Sequence, residues 1–350
     1  MALAYSGGAA GHATGTTRAE ATYLLPLRWQ NDAGLDELSR YLHQLAGQVQ
    51  VLVIDGSPPE LFVEHQKRFP GSIRHVPVVP PPGENGKVAA VVAGLRLAET
   101  EAVIIADDDV RYQPSAIARV VAALESVDLV RPQNYFLTLP WHARWDTGRT
   151  LLNRALGADY PGTLVVRRSA LVATQGYDSR VLFENLELMR TIAAAGGTER
   201  SVPHIYVGRL PPSARHFLSQ RVRQAYDDFA QPGRLLVELS ILPLLVLAIL
   251  RTAPRGRPVL LIMSAGCVVA LAEKGRRSHG GRAVFGRAAA VWAPLWVLER
   301  SICIWIALCR RLSGGIPYAG TKLSIAAHSG RHLRSLHAGK ISRACFRKVP

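Results

Sequence analysis

The sequence predicts an α/β domain with a mostly parallel, Rossmann-like sheet, followed by a C-terminal α-helical membrane module. Three observations predict it. Apolar strand-like runs alternate with helically spaced segments from Ala21 onward. Three long apolar runs follow residue 231. The formal charge of +16 falls entirely in that last third: residues 231–350 hold 19 basic residues and three acidic ones (Glu238, Glu273, Glu299), and the first 230 are balanced.

In chain order, residues 21–27 (ATYLLPL) read as a strand, and 33–46 as a helix on the spacing of Leu35, Leu38, Leu42 and Leu45. VQVLVID (49–55) is a buried strand ending in Asp55. A helix at about 58–68 and a strand at 72–77 follow, then a stiff Pro/Gly loop over 78–85 and a helix over 87–99. The apolar strand 102–106 runs straight into Asp107-Asp108-Asp109. In such a β-α-β series, ligands bind at the carboxyl ends of the strands. Later come a helix at 114–125, strands at 127–131 and 162–167, a helix at about 184–195, and a polar helical stretch over 216–229. No solenoid repeat is visible.

The apolar runs are 235–250, 258–272 and 288–309, the third broken by Glu299-Arg300. A 16-residue helix spans about 24 Å, short of the ~30 Å hydrocarbon core, so each run is marginal alone. Three in succession, with Arg-rich connections and Trp292, Trp296 and Trp305, favour a membrane over a buried bundle. The basic excess also suits nucleic acid, but the tail lacks interleaved aromatics and any nucleic-acid motif, so no nucleic-acid partner is expected. Cys267, Cys303, Cys309 and Cys345 all lie late in the chain, which leaves the first 266 residues without a disulfide or a Cys-ligated zinc site. Residues 1–20 lack a basic start and an apolar stretch and read as a disordered leader. The expected organisation is therefore a leader over 1–20, the α/β domain over 21–230, membrane-associated helices over 231–312 and a basic tail over 313–350.

Three carboxylates after an apolar strand repel one another unless a cation intervenes. Aspartate oxygens suit Mg²⁺ or Mn²⁺, which in turn neutralise a diphosphate. Asp55 ends an earlier strand in VIDGS, where it either takes a nucleotide or simply makes a turn. Lys87 follows Gly83 and Gly86 on a loop opening a helix, a place to meet a phosphate. There is no GxxxxGK[ST] and no GxGxxG. His142, His204 and His216 show no metal-ligand spacing, and Trp141 and Trp145 read as a helical core stripe before an acceptor-stacking pair.

Together VIDGS, GENGKVAAVVAGL, ADDDV and GYDSRVLFENLEL (176–188) resemble a family-2 glycosyltransferase of the GT-A fold, over roughly residues 21–230. The resemblance implies sugar transfer from a nucleotide diphosphate sugar with a divalent metal. It assigns Asp55 to the nucleotide, and Asp107 and Asp109 to the metal and diphosphate. Two departures stand out. The family's acceptor-site Glu-Asp pair, whose Asp is commonly the general base, is here Glu184-Asn185, and Asn accepts no proton at neutral pH. Either Glu184 or Glu187 serves, or activity is lost and the chain is a binding or assembly subunit. The Gln-x-x-Arg-Trp of processive members is here Gln220 to Gln224, with Gln in place of Trp. This argues for a single transfer, and leaves Gln220 and Arg223 to clamp a diphosphate.

The overall layout is similar to that of ceramide and hopanoid-lipid glycosyltransferases. It implies a cytoplasmic catalytic domain, a cell-membrane location and a lipid-linked acceptor. Two spans returning the chain inside at about residue 274 would place Lys274, Arg276, Arg277, Arg282 and Arg287 on the positive side, with 288–309 lying in the interface or re-entering.

Overall fold

The computed structural model describes residues 19–81, 83–157, 159–318 and 321–341. The expected leader, apart from Ala19 and Glu20, and the last nine residues of the tail, including Cys345, lie outside the described residues.

The chain first lays down β1 (Ala21–Leu27), α1 (Leu35–Ala46), β2 (Gln50–Asp55), α2 (Pro59–Arg68), β3 (Arg74–Pro77), α3 (Gly86–Leu97) and β4 (Ala102–Ala106). These four strands pair in parallel in the order β3-β2-β1-β4. β1, β2 and β4 are apolar on both faces because helices cover both sides of a parallel sheet. Leu35, Leu38, Leu42 and Leu45 of α1 are all buried, as their spacing predicts. Gly94 lets α3 lie close on β1: a Cβ there would sit 2.2 Å from Cδ1 of Leu24. Burial is the main favourable term holding these layers together.

The chain then forms β5 (Val110–Arg111), α4 (Pro114–Leu124), β6 (Leu129–Phe136), α5 (Trp141–Leu156), β7 (Thr163–Arg167), α6 (Arg168–Ala173), α7 (Glu184–Ala194) and β8 (Glu199–Arg209). β7, β6, β8 and β5 extend the sheet to eight strands, with β6 and β8 parallel and the other new pairings antiparallel. β6 continues to Phe136, beyond the strand expected to end at 131, because β8 pairs with it past a register shift at Pro132/Gln133. The stretch expected as one polar helix over 216–229 is instead α8 (Ala214–Ser219), α9 (Arg221–Tyr226) and a 3-10 turn, Asp227–Ala230. Phe217, Ala225 and Tyr226 are buried there, so one side of the stretch packs inward, while His216, Leu218 and Ser219 stay exposed.

Next come α10 (Pro232–Arg251), α11 (Arg257–Arg277) and α12 (Ala293–Leu312). Three helical segments built on these are long and apolar enough to cross a membrane. A 20-residue helix is about 30 Å long. The base of α11 sits hard against α5, where a Cβ on Gly275 would lie 1.9 Å from the carbonyl oxygen of Leu151. α12 packs on α5, α9 and α10. Its Arg300 is only 2% exposed and pairs with Asp228 at 3.0 Å, while Glu299 lies 3.5 Å from Arg221. The charged break in the third apolar run therefore faces the α/β domain.

Past α12, the segment expected as a tail returns to that domain. β9 (Ile316–Tyr318) and β10 (Thr321–Leu323) make a small hairpin, and α13 (Gly330–His337) packs on α7. Between them, the amides of Leu182 and Phe183 donate to the carbonyls of Ile325 and Ala326 at 3.0 and 2.8 Å. The amide of Ile341 donates to Ala195 at 3.0 Å.

Candidate active site

Parallel pairing sets Leu27 beside Asp55 and places the end of β4 at the same sheet edge. Three sequence-predicted features therefore converge there. Asn85 caps α3, its Oδ1 accepting the Lys87 amide at 3.0 Å, and this starts the helix so that Lys87 lies in its first turn. The Lys87 ammonium then bridges Asp107 Oδ1 at 2.6 Å and Glu184 Oε1 at 2.9 Å, with Asn185 Oδ1 at 3.4 Å. Burial works against its charge, but Asp107 and Glu184 outweigh that and hold the ammonium above its ordinary range.

Asp109 accepts from Arg209, with Nε at 3.1 and 3.0 Å and Nη2 at 2.5 Å from its oxygens. Burial raises the Asp109 carboxyl, Arg209 opposes this, and Asp107 and Asp108 add to the rise. Asp108 turns aside, accepting from the Trp29 indole. Gly162 leaves room beside Asp107: a Cβ there would lie 2.7 Å from its Oδ2. Asp107 and Asp109 thus offer hard oxygen ligands, each already matched by a side-chain cation. That donor set fits a divalent ion arriving with a diphosphate.

Asp55 is 1% exposed, with both oxygens engaged. Its Oδ2 lies 2.6 Å from His65 Nδ1 and 3.0 Å from His75 Nε2, and its Oδ1 accepts the Ser57 amide at 2.8 Å. His65 Nε2 is 2.9 Å from Asp32. Burial alone would raise the Asp55 carboxyl, but hydrogen bonds from His75, His65 and Ser57 bring it down to about 2. Among the described residues, Asp55, His65 and His75 are the one group of three whose ligand atoms lie within 4.8 Å of one another. Those atoms already bond to each other.

The other predicted positions separate. Glu187 is fully buried, its oxygens accepting from the amide and Nδ1 of His328, both at 2.8 Å. It therefore anchors the returning C-terminal segment. Arg223 shares a hollow of about 360 Å³ with Lys87, Arg28, Gly56 and Asp108, and donates to Gln220 at 3.2 Å. Gln220 faces a second cavity of about 240 Å³ that reaches from Asp109 and Arg209 to the bases of α10 and α12. His142 and His216 line that cavity too, His142 Nε2 donating to the Pro212 carbonyl at 2.8 Å. Trp141 and Trp145 stand on α5 with ring centroids 6.1 Å apart and both edge onto Phe217; Trp141 is 45% exposed. Arg209, Trp29, His65 and His75 carry no motif in the sequence. Arg209 closes a strand, and the two histidines meet Asp55 only through the fold.

The profile of glycosyl transferase family 2 matches residues 31–165, a span that holds Asp55, Lys87, Asp107 and Asp109. No curated protein matches the chain in sequence. Among solved structures, a mannosyltransferase from Pyrobaculum calidifontis, described in complex with GDP-Man and Mn²⁺, is 17% identical with a TM-score of 0.50, over 84% of this chain and 88% of that one. A mycobacterial protein is 16% identical with a TM-score of 0.40, over 59% of this chain and 72% of that one. The matched segment, residues 31–165, is similar to glycosyl transferase family 2 and carries the strand-end aspartates and the lysine that meets them, on a sheet of GT-A type.

Proposed function

We propose that the chain transfers one sugar from a nucleotide diphosphate sugar to a hydroxyl of a lipid-linked acceptor at the cytoplasmic face of the cell membrane. The observation that carries this reading is Lys87, which ties the strand-end Asp107 to Glu184 at the acceptor side of the site. Asp107 and Asp109 hold Mn²⁺ or Mg²⁺, which when bound supplies positive charge against the leaving diphosphate. Lys87, Gln220 and Arg223 meet the diphosphate itself, and Arg223 is suited to it by its forked donors. Asp55, fixed in place by His65 and His75, orders the nucleotide end of the site. Glu184 takes the acceptor proton onto a carboxylate oxygen, since Asn185 carries an amide and Glu187 is committed to His328. Gln224 in place of an aromatic supports a single transfer.

The test is a thermal-shift panel of nucleotide sugars with Mn²⁺. A bound donor stabilises by RT ln(1 + [L]/Kd), about 2.7 kcal/mol at 100 Kd. One nucleotide sugar raising the melting temperature only with metal is the expected result; no shift with any donor would overturn the reading.

The membrane arrangement follows from where the helices begin and end. Residue 230 and residues 324–341 both contact the catalytic domain, which supports an even number of crossings between them. We place α10 and α11 as a spanning hairpin and α12 along the interface, its Glu299 and Arg300 turned inward. Lys274, Arg276, Arg277, Arg282 and Arg287 then lie on the catalytic side, and the tip carries Arg251, Arg255 and Arg257 outside. In a cysteine-free background, Ser329→Cys should react only with reagent on the catalytic side and Arg255→Cys only from the opposite side. Labelling of both from one side would exclude the hairpin.

A further inference from the structure

Among the described residues up to Ala230, eight large apolar side chains are exposed, and four of them fall in one place. These are Leu137, Leu139, Trp141 and Leu218, each 41–54% exposed. Single exposed apolar residues are ordinary, whereas a cluster of them marks a contact surface. Leu137, Leu139 and Trp141 lie on the turn from β6 into α5, and Leu218 lies on α8. The two segments are fixed to each other. The Leu137 amide donates to the Arg209 carbonyl at 2.9 Å, His142 Nε2 donates to the Pro212 carbonyl at 2.8 Å, and the Trp141 ring lies 6.0 Å from that of Phe217. Arg144 closes the turn, its Nε donating to the Leu139 carbonyl at 2.9 Å.

Charge and continuity say what covers this surface. Residues 137–145 and 211–219 carry Arg144 and Arg215, both exposed, and contain no Asp or Glu. An apolar patch bordered by arginines suits an anionic bilayer surface, where a Trp ring favours the head-group level and each cation is attracted. The patch also runs on into the membrane-proximal helices. Gly148 stands two turns from Trp141 on α5, about 10 Å away, and lies against the start of α12: a Cβ there would sit 2.9 Å from Cα of Ala293. On the other side, α8 leads through Gln220 into α9, whose Arg221 lies 3.5 Å from Glu299 of α12. α12 has exposed apolar residues of its own in Leu295, Leu298 and Ile302.

We propose that the β6–α5 turn and α8 rest in the head-group layer of an anionic bilayer, a membrane contact made by the α/β domain itself in addition to its helices. This rests on the placement of α10, α11 and α12 at the membrane given above. The same two segments supply His142, Pro212, His216 and Phe217 to the wall of the cavity that reaches Asp109. The contact sets that wall against the lipid, which gives a lipid-linked acceptor a short path from the bilayer to the strand-end aspartates.

The experiment attaches the fluorophore NBD to single cysteines in the cysteine-free full chain, reconstituted in vesicles of phosphatidylcholine and phosphatidylglycerol. Lipids with a nitroxide near the head group quench a probe in that layer, and lipids with one near the chain end quench a probe in the hydrocarbon. Probes at Leu139→Cys and Leu218→Cys should be quenched by the shallow lipid about twofold more than one at Val63→Cys, which is exposed on α2 at the other edge of the sheet. Arg144→Glu together with Arg215→Glu should reduce this quenching, as should vesicles of phosphatidylcholine alone. Met263→Cys, exposed on α11, is the reference for the helices and should be quenched by the deep lipid. Quenching at position 263 with none above the position 63 level at 139 and 218 overturns this inference alone. A blue shift at 139 and 218 that follows protein density without quenching means that a second copy covers the patch, and overturns it as well. Equal quenching in phosphatidylcholine alone overturns the choice of an anionic surface. A probe at 263 that neither lipid quenches overturns the membrane placement and this inference with it.

Discussion

Glu184→Gln is expected to lower sugar transfer by about 100-fold or more, the usual contribution of a positioned general base, while donor affinity stays within a few-fold of wild type. Glu184 opens α7, and its Oε1 lies 2.9 Å from the Lys87 ammonium. Gln keeps the length and one carbonyl acceptor for Lys87, so the variant isolates the loss of proton uptake from the loss of position. Asn185 sits beside it with its amide donating to the Pro161 carbonyl at 3.1 Å. Asn185→Asp would place a carboxylate against that carbonyl and is expected to gain nothing in an active enzyme. Steady-state transfer by both variants is the measurement. Normal transfer by Glu184→Gln would remove Glu184 from the role. An inert wild type that gains transfer in Asn185→Asp would make the chain a relative that has lost its base.

The second large effect is expected at Asp109. Asp109→Ala should abolish metal-dependent donor binding and transfer. The carboxylate is one of two at the strand end and is the partner of Arg209. In the proposed arrangement its removal would strip an oxygen from the ion and leave a half-buried guanidinium without its carboxylate, and both changes disfavour the charged complex. Isothermal titration of donor with and without Mn²⁺ separates the two causes. Loss of only the metal-dependent part points to the ion, whereas loss of all donor affinity points to the displaced Arg209. Donor affinity in wild type that is unchanged by excess chelator would exclude the metal assignment altogether.

The strands that carry the site were legible because a parallel strand covered on both faces must be apolar throughout, and Asp55 and Asp107 interrupt such runs abruptly. The lysine was legible from its place after two glycines. What surrounds those groups was not. α5 buries Asp146, Asn153 and Arg154, so its inward face has no apolar period to read. β8 carries Pro203 and His204 and matches no strand pattern, yet its last residue, Arg209, is the partner of Asp109. His65 and His75 come to Asp55 from a helix and an edge strand, and Glu187 finds His328 at a separation of 141 residues. Ionic contacts of that kind depend on topology and leave no local spacing behind.

The segment that returns after α12 also has a consequence for the order in which the protein is made. The amides of Leu182 and Phe183, immediately before Glu184, bond to Ile325 and Ala326, and Glu187 accepts from His328. During synthesis the sheet and all of its aspartates leave the ribosome well before those partners do, and the apolar helices leave in between. The first turn of α7 therefore gains its final support only when residues near 330 have emerged, after the apolar helices. A chain that has not yet released those residues carries the strand-end aspartates without the finished support of Glu184.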